Sequence, residues 1–282
     1  MQLQCGAYSL ELTRPLIMGI VNVTADSFSG DGRAIAAHTG AGISAAMQHA
    51  EQLLAEGADM LDIGGESSRP GAVPVSEDEE IARVVPLVKA LSKCGVPLSV
   101  DTVKPAVMRA ALAAGAHLIN DITALRVPGA LAALADSDAA VCLMHMQGEP
   151  GTMQDNPQYG NVAIEVADFL AQRIAACEAA GIARKRIVLD PGFGFGKRLE
   201  HNIALFKALP SFRRFELPLL VGVSRKSMLG QMTGRPVEQR MPASITAAML
   251  ATQNGAHILR VHDVAATKDA LAVLSALKGE ER

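Results

Sequence analysis

The sequence predicts an α/β fold: a single-domain (β/α)8 TIM barrel. Three observations lead there. Eight short apolar runs recur along the chain, each is followed by a longer helix-patterned stretch, and polar residues gather at the carboxyl ends of the runs. Eight such units in 282 residues average about 35 residues each, close to a barrel of about 250 residues plus loops. The alternation demands a mostly parallel sheet. An open doubly wound sheet is the rival arrangement. Eight units without an obvious linker favour closure, and one domain over 1–282.

The elements follow in chain order. Residues 1–15 precede the first run and are expected to form a short strand or hairpin capping the barrel base. The runs are LIMGIVNV (16–23), MLDIGG (60–65), PLSVDT (97–102), LINDIT (118–123), AVCLMHM (140–146), RIVLDPG (186–192), PLLVGVSRK (218–226) and HILRVHD (257–263). Each is short, β-favouring and almost continuously apolar, as a strand buried on both faces should be. The first helix is expected over 41–58. Ser76 opens another, with Glu79 three residues on at capping-box spacing. Gly57, Gly95, Gly115, Gly181 and Gly255 fall where helices must end before the next strand. The last helix is expected over 264–278, with apolar positions Ala265, Leu271, Val273, Leu274 and Leu277.

Bulk properties exclude several classes. A formal charge of −3, with scattered Lys and Arg, gives no footprint for nucleic acid. Two tyrosines and no tryptophan offer little for base stacking. No apolar run approaches a membrane span, and the N-terminus lacks a signal-peptide pattern. Cys5, Cys94, Cys142 and Cys177 show no CxxC spacing. The last three read as buried small hydrophobes, which suits a reducing, cytoplasmic setting.

The polar strand ends carry the chemistry. They are Asn22; Gly64, Gly65 and Glu66; Asp101; Asn120 and Asp121; His145; Asp190; Lys226; and Arg260, His262 and Asp263. In a closed parallel barrel these ends converge on one mouth, where barrel enzymes keep their active sites. A strand-end carboxylate can equally cap the next helix, and for Asp121 and Asp263 both roles stay open. Only one of Asn120 and Asp121 can face the barrel axis. Asp62 reads as a core carboxylate and is left out of the site. The run Asp190-Pro191-Gly192-Phe193-Gly194-Phe195-Gly196-Lys197 is not a Walker loop, because Arg198 stands where Ser or Thr is needed. It reads as a tight loop exposing backbone and two phenylalanines.

Several motifs, in order, resemble one family. They are Asn22-Val23-Thr24-Ala25-Asp26-Ser27-Phe28-Ser29, Gly64-Gly65-Glu66-Ser67-Ser68-Arg69-Pro70-Gly71, Ser99-Val100-Asp101-Thr102, Ile119-Asn120-Asp121-Ile122, the Asp190–Lys197 run, Ser224-Arg225-Lys226-Ser227 and Arg260-Val261-His262-Asp263. Together they resemble the dihydropteroate synthase family over nearly the whole chain. Ala25 stands in place of a usual Pro and Ser68 in place of a usual Thr.

The resemblance implies that 6-hydroxymethyl-7,8-dihydropterin pyrophosphate condenses with p-aminobenzoate in folate biosynthesis, by an SN1-like path, in a sulfonamide target. It implies catalytic roles for Asp101, Lys226 and Asn22. Asp101, Asn120, Asp190 and Lys226 would hold the pterin. Asn22, Ser68, Arg69, Arg260 and His262 would hold pyrophosphate, with Asn22 a ligand of the cofactor Mg2+. Phe28, Pro70, Phe195 and Ser227 would surround p-aminobenzoate. The loops 22–33 and 64–74 are expected to order only with pyrophosphate present. The partners implied are these small molecules and a second copy of the chain, through the late helices, in a homodimer. Two rivals share the pterin grip: a methyltetrahydrofolate–corrinoid methyltransferase and a non-catalytic pterin-binding paralogue. The first has no need of the Arg260/His262 pair; intact Asp101, Lys226 and Arg260 argue against the second.

Overall fold

The computed structural model describes residues 1–23, 40–67 and 73–279. The chain opens with an antiparallel hairpin of β1 (Gln2–Cys5) and β2 (Tyr8–Glu11). Eight parallel strands follow: β3 (Leu16–Asn22), β4 (Met60–Gly64), β5 (Leu98–Asp101), β6 (Leu118–Asp121), β7 (Ala140–Met144), β8 (Ile187–Asp190), β9 (Leu220–Val221) and β10 (Ile258–Val261). Their lateral order is β8-β7-β6-β5-β4-β3-β10-β9. A parallel bridge between Leu189 and Leu219 joins the two ends, with Leu189 N–H donating to the Pro218 carbonyl at 2.9 Å. All eight expected runs are therefore barrel strands.

Helices return the chain between strands: α1 (Gly40–Glu56), α2 (Glu77–Leu91), α3 (Pro105–Ala113), α4 (Ala130–Ala135), α5 (Val162–Ala179), α6 (Leu199–Lys207), α7 (Ser227–Thr233), α8 (Met241–Gln253) and α9 (Val264–Lys278). Gly57, Gly95, Gly115, Gly181 and Gly255 all take positive φ between helix and strand. Ser76 caps α2 by accepting from Glu79 N–H at 3.2 Å. The reciprocal half of the capping box is absent, because the Glu79 carboxylate pairs instead with Arg83.

Two expectations change. The run 218–226 gives only a two-residue strand: the chain leaves the sheet to turn at Val223, whose carbonyl accepts from Lys226 N–H at 3.2 Å. Cys94 is half-buried, its thiol bonded to the Val96 carbonyl, whereas Cys5, Cys142 and Cys177 are buried.

Strand parity positions the site. Met18, Met60, Leu118, Ala140, Cys142, Val188, Leu220 and Ile258 form one core with Leu3, Cys5, Leu12 and Leu16. The hairpin thus plugs the bottom of the barrel. Successive side chains alternate in direction, so residues two further along these strands face the same interior. Those residues include Asp62, Asn120, Asp190 and Arg260. The interior changes from apolar to charged within one tier. Among the described residues, no helix is long and apolar enough to cross a membrane.

Candidate functional site

Arg260 is the hub of the charged tier. Its Nε lies 2.5 Å from Asp62 and its Nη2 3.0 Å from Asp101. Asp62 also accepts from Ser99 Oγ at 2.5 Å and from Asn120 Nδ2 at 3.0 Å. Asp62, which sequence reasoning set aside, is therefore inside the cluster and links four strands. It shares the strand face of Met60, which barrel closure turns inward. Burial opposes the charge on Arg260, but Asp62 and Asp101 outweigh it and raise the guanidinium pKa. Burial pushes Asp101 up to about 7, against the pull of Arg260 and with the repulsion of Asp62.

The second group lies across the barrel. Asp190 ends β8, is buried, and accepts from Gly192 N–H at 2.7 Å. Burial raises its pKa, against the attraction of Lys226. Lys226 donates to the Phe193 carbonyl and sits 4.7 Å above the Phe195 ring. Burial brings its ammonium down to about 8, with Asp190 pulling it back up. Arg225, just before Lys226, has a left-handed φ of 58°. Ser244 Oγ accepts from its N–H at 2.9 Å, Arg240 donates to its carbonyl at 3.1 Å, and its guanidinium pairs with Asp263 at 2.5 Å. Those three contacts hold a turn that a non-glycine residue rarely adopts. Lys226 then caps α7, placing Ser227 in its first turn, exposed.

Above Arg260, on the same strand face, lies His262. Its ring Nδ1 is 3.0 Å from Ser224 Oγ, which also accepts from its backbone N–H at 3.2 Å. Asn22 ends β3 and pairs in register with Gly64, which pairs with Asp101, which pairs with Asn120. The four occupy one tier.

Asp121 points the other way. It accepts from Thr123 N–H and Leu125 N–H and caps the turn after β6, so Asn120 is the residue that faces inward. Phe28, Ser68, Arg69 and Pro70 lie outside the described residues, as do residues 24–33 and 68–72 of the two loops expected to order with pyrophosphate. Among the described residues no three His, Cys, Asp or Glu side chains cluster as a metal site. Sequence reasoning missed Asp62, Ser99 and Ser224 as partners within the cluster.

A sequence profile of the pterin binding enzyme family matches residues 18–262. A dihydropteroate synthase of Escherichia coli K12 is 49% identical over 277 residues, covering 98% of this chain and 96% of that protein. The Yersinia pestis dihydropteroate synthase, solved as a sulfonamide drug complex, superposes with a TM-score of 0.92 at 49% identity, covering 100% of both chains. The Xanthomonas albilineans dihydropteroate synthase, solved with 4-aminobenzoic acid, gives 0.91 at 51% identity, covering 98% of both.

Proposed function

The chain belongs to the pterin-binding enzyme family, among its dihydropteroate synthases, and on that premise we propose how its residues divide the work. The reaction condenses 6-hydroxymethyl-7,8-dihydropterin pyrophosphate with p-aminobenzoate and releases 7,8-dihydropteroate and pyrophosphate in folate biosynthesis. The observation that carries the assignment of roles is the convergence of Asp190, Asn120 and Lys226 with an Arg260-held Asp101 at one barrel mouth.

Asp190 takes two donors from the aminopyrimidinone edge of the pterin. Asn120 offers a donor and an acceptor to the same ring. Its amide is already oriented by Asp62. Lys226 donates to a pterin acceptor and borders the second substrate. As pyrophosphate leaves, positive charge grows on the pterin methylene. Asp101, once ionised, faces the developing charge from beside Arg260, and Asp190 does so from across the barrel. A charge pair at about 4 Å and an effective dielectric near 20 is worth roughly 4 kcal/mol before other costs. Asp101, beside the ring, supplies about a thousandfold in rate if that gain is realised only in the transition state.

Arg260, His262 and Asn22 hold the departing pyrophosphate, with Ser68 and Arg69 from the second loop. The donor set suits Mg2+: Asn22 gives one hard oxygen, and the ion habitually completes its shell from phosphate and water. When bound, Mg2+ neutralises charge on the leaving group. Phe195, Ser227, Phe28 and Pro70 receive p-aminobenzoate, and sulfonamides compete there. The solved complexes of the Xanthomonas and Yersinia relatives support this reading.

The enzyme works as a homodimer in the cytoplasm. Met232, Met241, Leu250, Val273 and Leu277, on α7 to α9, are exposed apolar residues that support pairing through these helices. Four free thiols suit a reducing compartment. The test is pyrophosphate release with both substrates and Mg2+, comparing wild type with Asp101→Asn. Wild-type turnover with a large loss in the variant supports the roles. Equal turnover removes Asp101 from them.

A further inference from the structure

Five consecutive carbonyls, from Gly192 to Gly196, each accept a side-chain hydrogen bond. Lys197 Nζ donates to Gly192 at 2.8 Å and to Phe195 at 3.0 Å. Lys226 donates to Phe193, Gln154 to Gly194 at 2.6 Å, and Tyr159 OH to Gly196 at 2.7 Å. The loop carries no ladder of its own, so side chains satisfy what secondary structure elsewhere would.

Lys197 is the inner fastening. It is buried, and its Nζ also lies 3.0 Å from His145 Nδ1 and 3.3 Å from the His145 carbonyl. Burial draws its pKa well below the ordinary 10.5, with Asp190 pulling it back up, and three polar partners lie within 3.0 Å of its Nζ. The loop is pressed directly onto the end of β7. A Cβ at Gly192 would stand 1.9 Å from the His145 carbonyl oxygen, and one at Gly196 2.4 Å from that of Gln147. Lys197 bridges this contact from within.

On its other side the same loop meets Lys226. The Phe193 carbonyl accepts from Lys226 and the Phe195 ring lies beneath its ammonium, beside the attraction of Asp190. Phe195 packs against Ile122, Met144, Met146 and Met153 at the mouth. One lysine fixes the loop from the inside so that the other can be held at the site.

We propose that Lys197 is a positioning residue for the second substrate: it sets the 192–196 backbone, and thereby Phe195 and Lys226, without touching either substrate. This rests on the placement of p-aminobenzoate beside Phe195 and Lys226. Asp190 belongs to β8 and Asn120 to β6, so the pterin keeps two anchors outside the loop, although Lys226 and the Gly192 N–H that Asp190 accepts join it to the loop.

The experiment is steady-state kinetics, varying each substrate in turn, for Lys197→Met, Tyr159→Phe and Phe195→Ala. Lys197→Met keeps the length and loses the donors. KM for p-aminobenzoate rises about tenfold, the size of a lost buried hydrogen bond, while KM for the dihydropterin pyrophosphate, still held by Asp190 and Asn120, rises by a clearly smaller factor. Tyr159→Phe removes one outer fastening and gives a smaller rise in the same KM, which decides the matter if Lys197→Met does not fold. In Lys197→Ala, methylammonium restores affinity and tetramethylammonium, which has no N–H, does not. Equal rises in both KM values, or none in Lys197→Met and Tyr159→Phe while Phe195→Ala raises that for p-aminobenzoate, overturn the inference alone. An unchanged KM in Phe195→Ala overturns the placement of p-aminobenzoate itself, and the inference with it.

Discussion

Asp62 and Arg260 are 198 residues apart in the chain and 2.5 Å apart in the barrel, Oδ2 against Nε. Asp62 is wholly buried and Arg260 retains 20% side-chain exposure. Orphaning a buried charge costs about 3 kcal/mol or more, but without Asp62 Arg260 keeps its 3.0 Å pair with Asp101. Asp62→Asn is therefore expected to lower stability by about 2 kcal/mol in urea unfolding. Adding Arg260→Gln should recover part of the loss, giving a coupling above about 1 kcal/mol in a double-mutant cycle. Additive losses would mean that the two side chains act independently.

Asp101 should set an acid limb in the pH profile. Burial holds its pKa near 7, so the carboxylate that stabilises the pterin cation is lost as pH falls below that value. The profile of kcat/KM reports groups of the free enzyme. An inflection near pH 7 is expected in the wild type, together with roughly a thousandfold lower, flatter profile in Asp101→Asn. A limb that survives the substitution belongs to another group.

His117 and His257 fasten strand starts at the barrel base. The Nδ1 of each accepts a backbone N–H at 3.1 Å, from Leu98 and from Leu219. Burial lowers both pKa values below the ordinary 6.5. Unfolded histidines then bind protons that the folded ones refuse, so stability is full above pH 6.5 and declines as pH falls below it. Melting temperature should drop between pH 7.5 and 5. The double variant His117→Asn/His257→Asn, whose amide oxygens still accept, should show a smaller drop. An equal slope in both proteins would place the acid sensitivity elsewhere.

Asn22 should govern the demand for metal. Asn22→Ala is expected to raise the Mg2+ concentration for half-maximal activity by about tenfold, while dihydropterin binding measured without pyrophosphate stays unchanged. Partial chelation of Mg2+ should slow the variant more than the wild type. A variant with unaltered metal dependence would remove Asn22 as a ligand.

The eight strands were legible because a strand buried on both faces has no polar alternation to hide it. The polar strand ends were legible because eight of them recur at the same end of successive apolar runs, although a single one, such as Asp121, can serve only a turn. Asp62 was not, since within MLDIGG nothing tells which parity faces the axis. Barrel closure sets that phase, putting Met60 on the base core and Asp62 above it. Lys197 was visible only as the last residue of a glycine-rich run that Arg198 sets apart from a phosphate loop. Its role depends on His145 and on the fold of five carbonyls, neither of which local spacing encodes. Asn120 and Asp121 illustrate the middle case. Strand alternation makes them diverge, and the turn bonds from Thr123 and Leu125 decide which one turns outward.

The base plug and the seam between β3 and β10 bear on the order in which the molecule is made. Leu16 pairs with Ile258, and Leu3 and Cys5 pack beside Ile258 as well. On a ribosome these first residues emerge almost a whole chain ahead of their partners. Until β10 arrives, β3 keeps an open edge and the hairpin has an unfinished floor to sit on. Synthesis must therefore carry an unsealed sheet for most of its duration, the state in which strand edges recruit one another. A pause or truncation shortly before residue 258 would strand the chain there, and chaperone dependence should concentrate at that late stretch of translation.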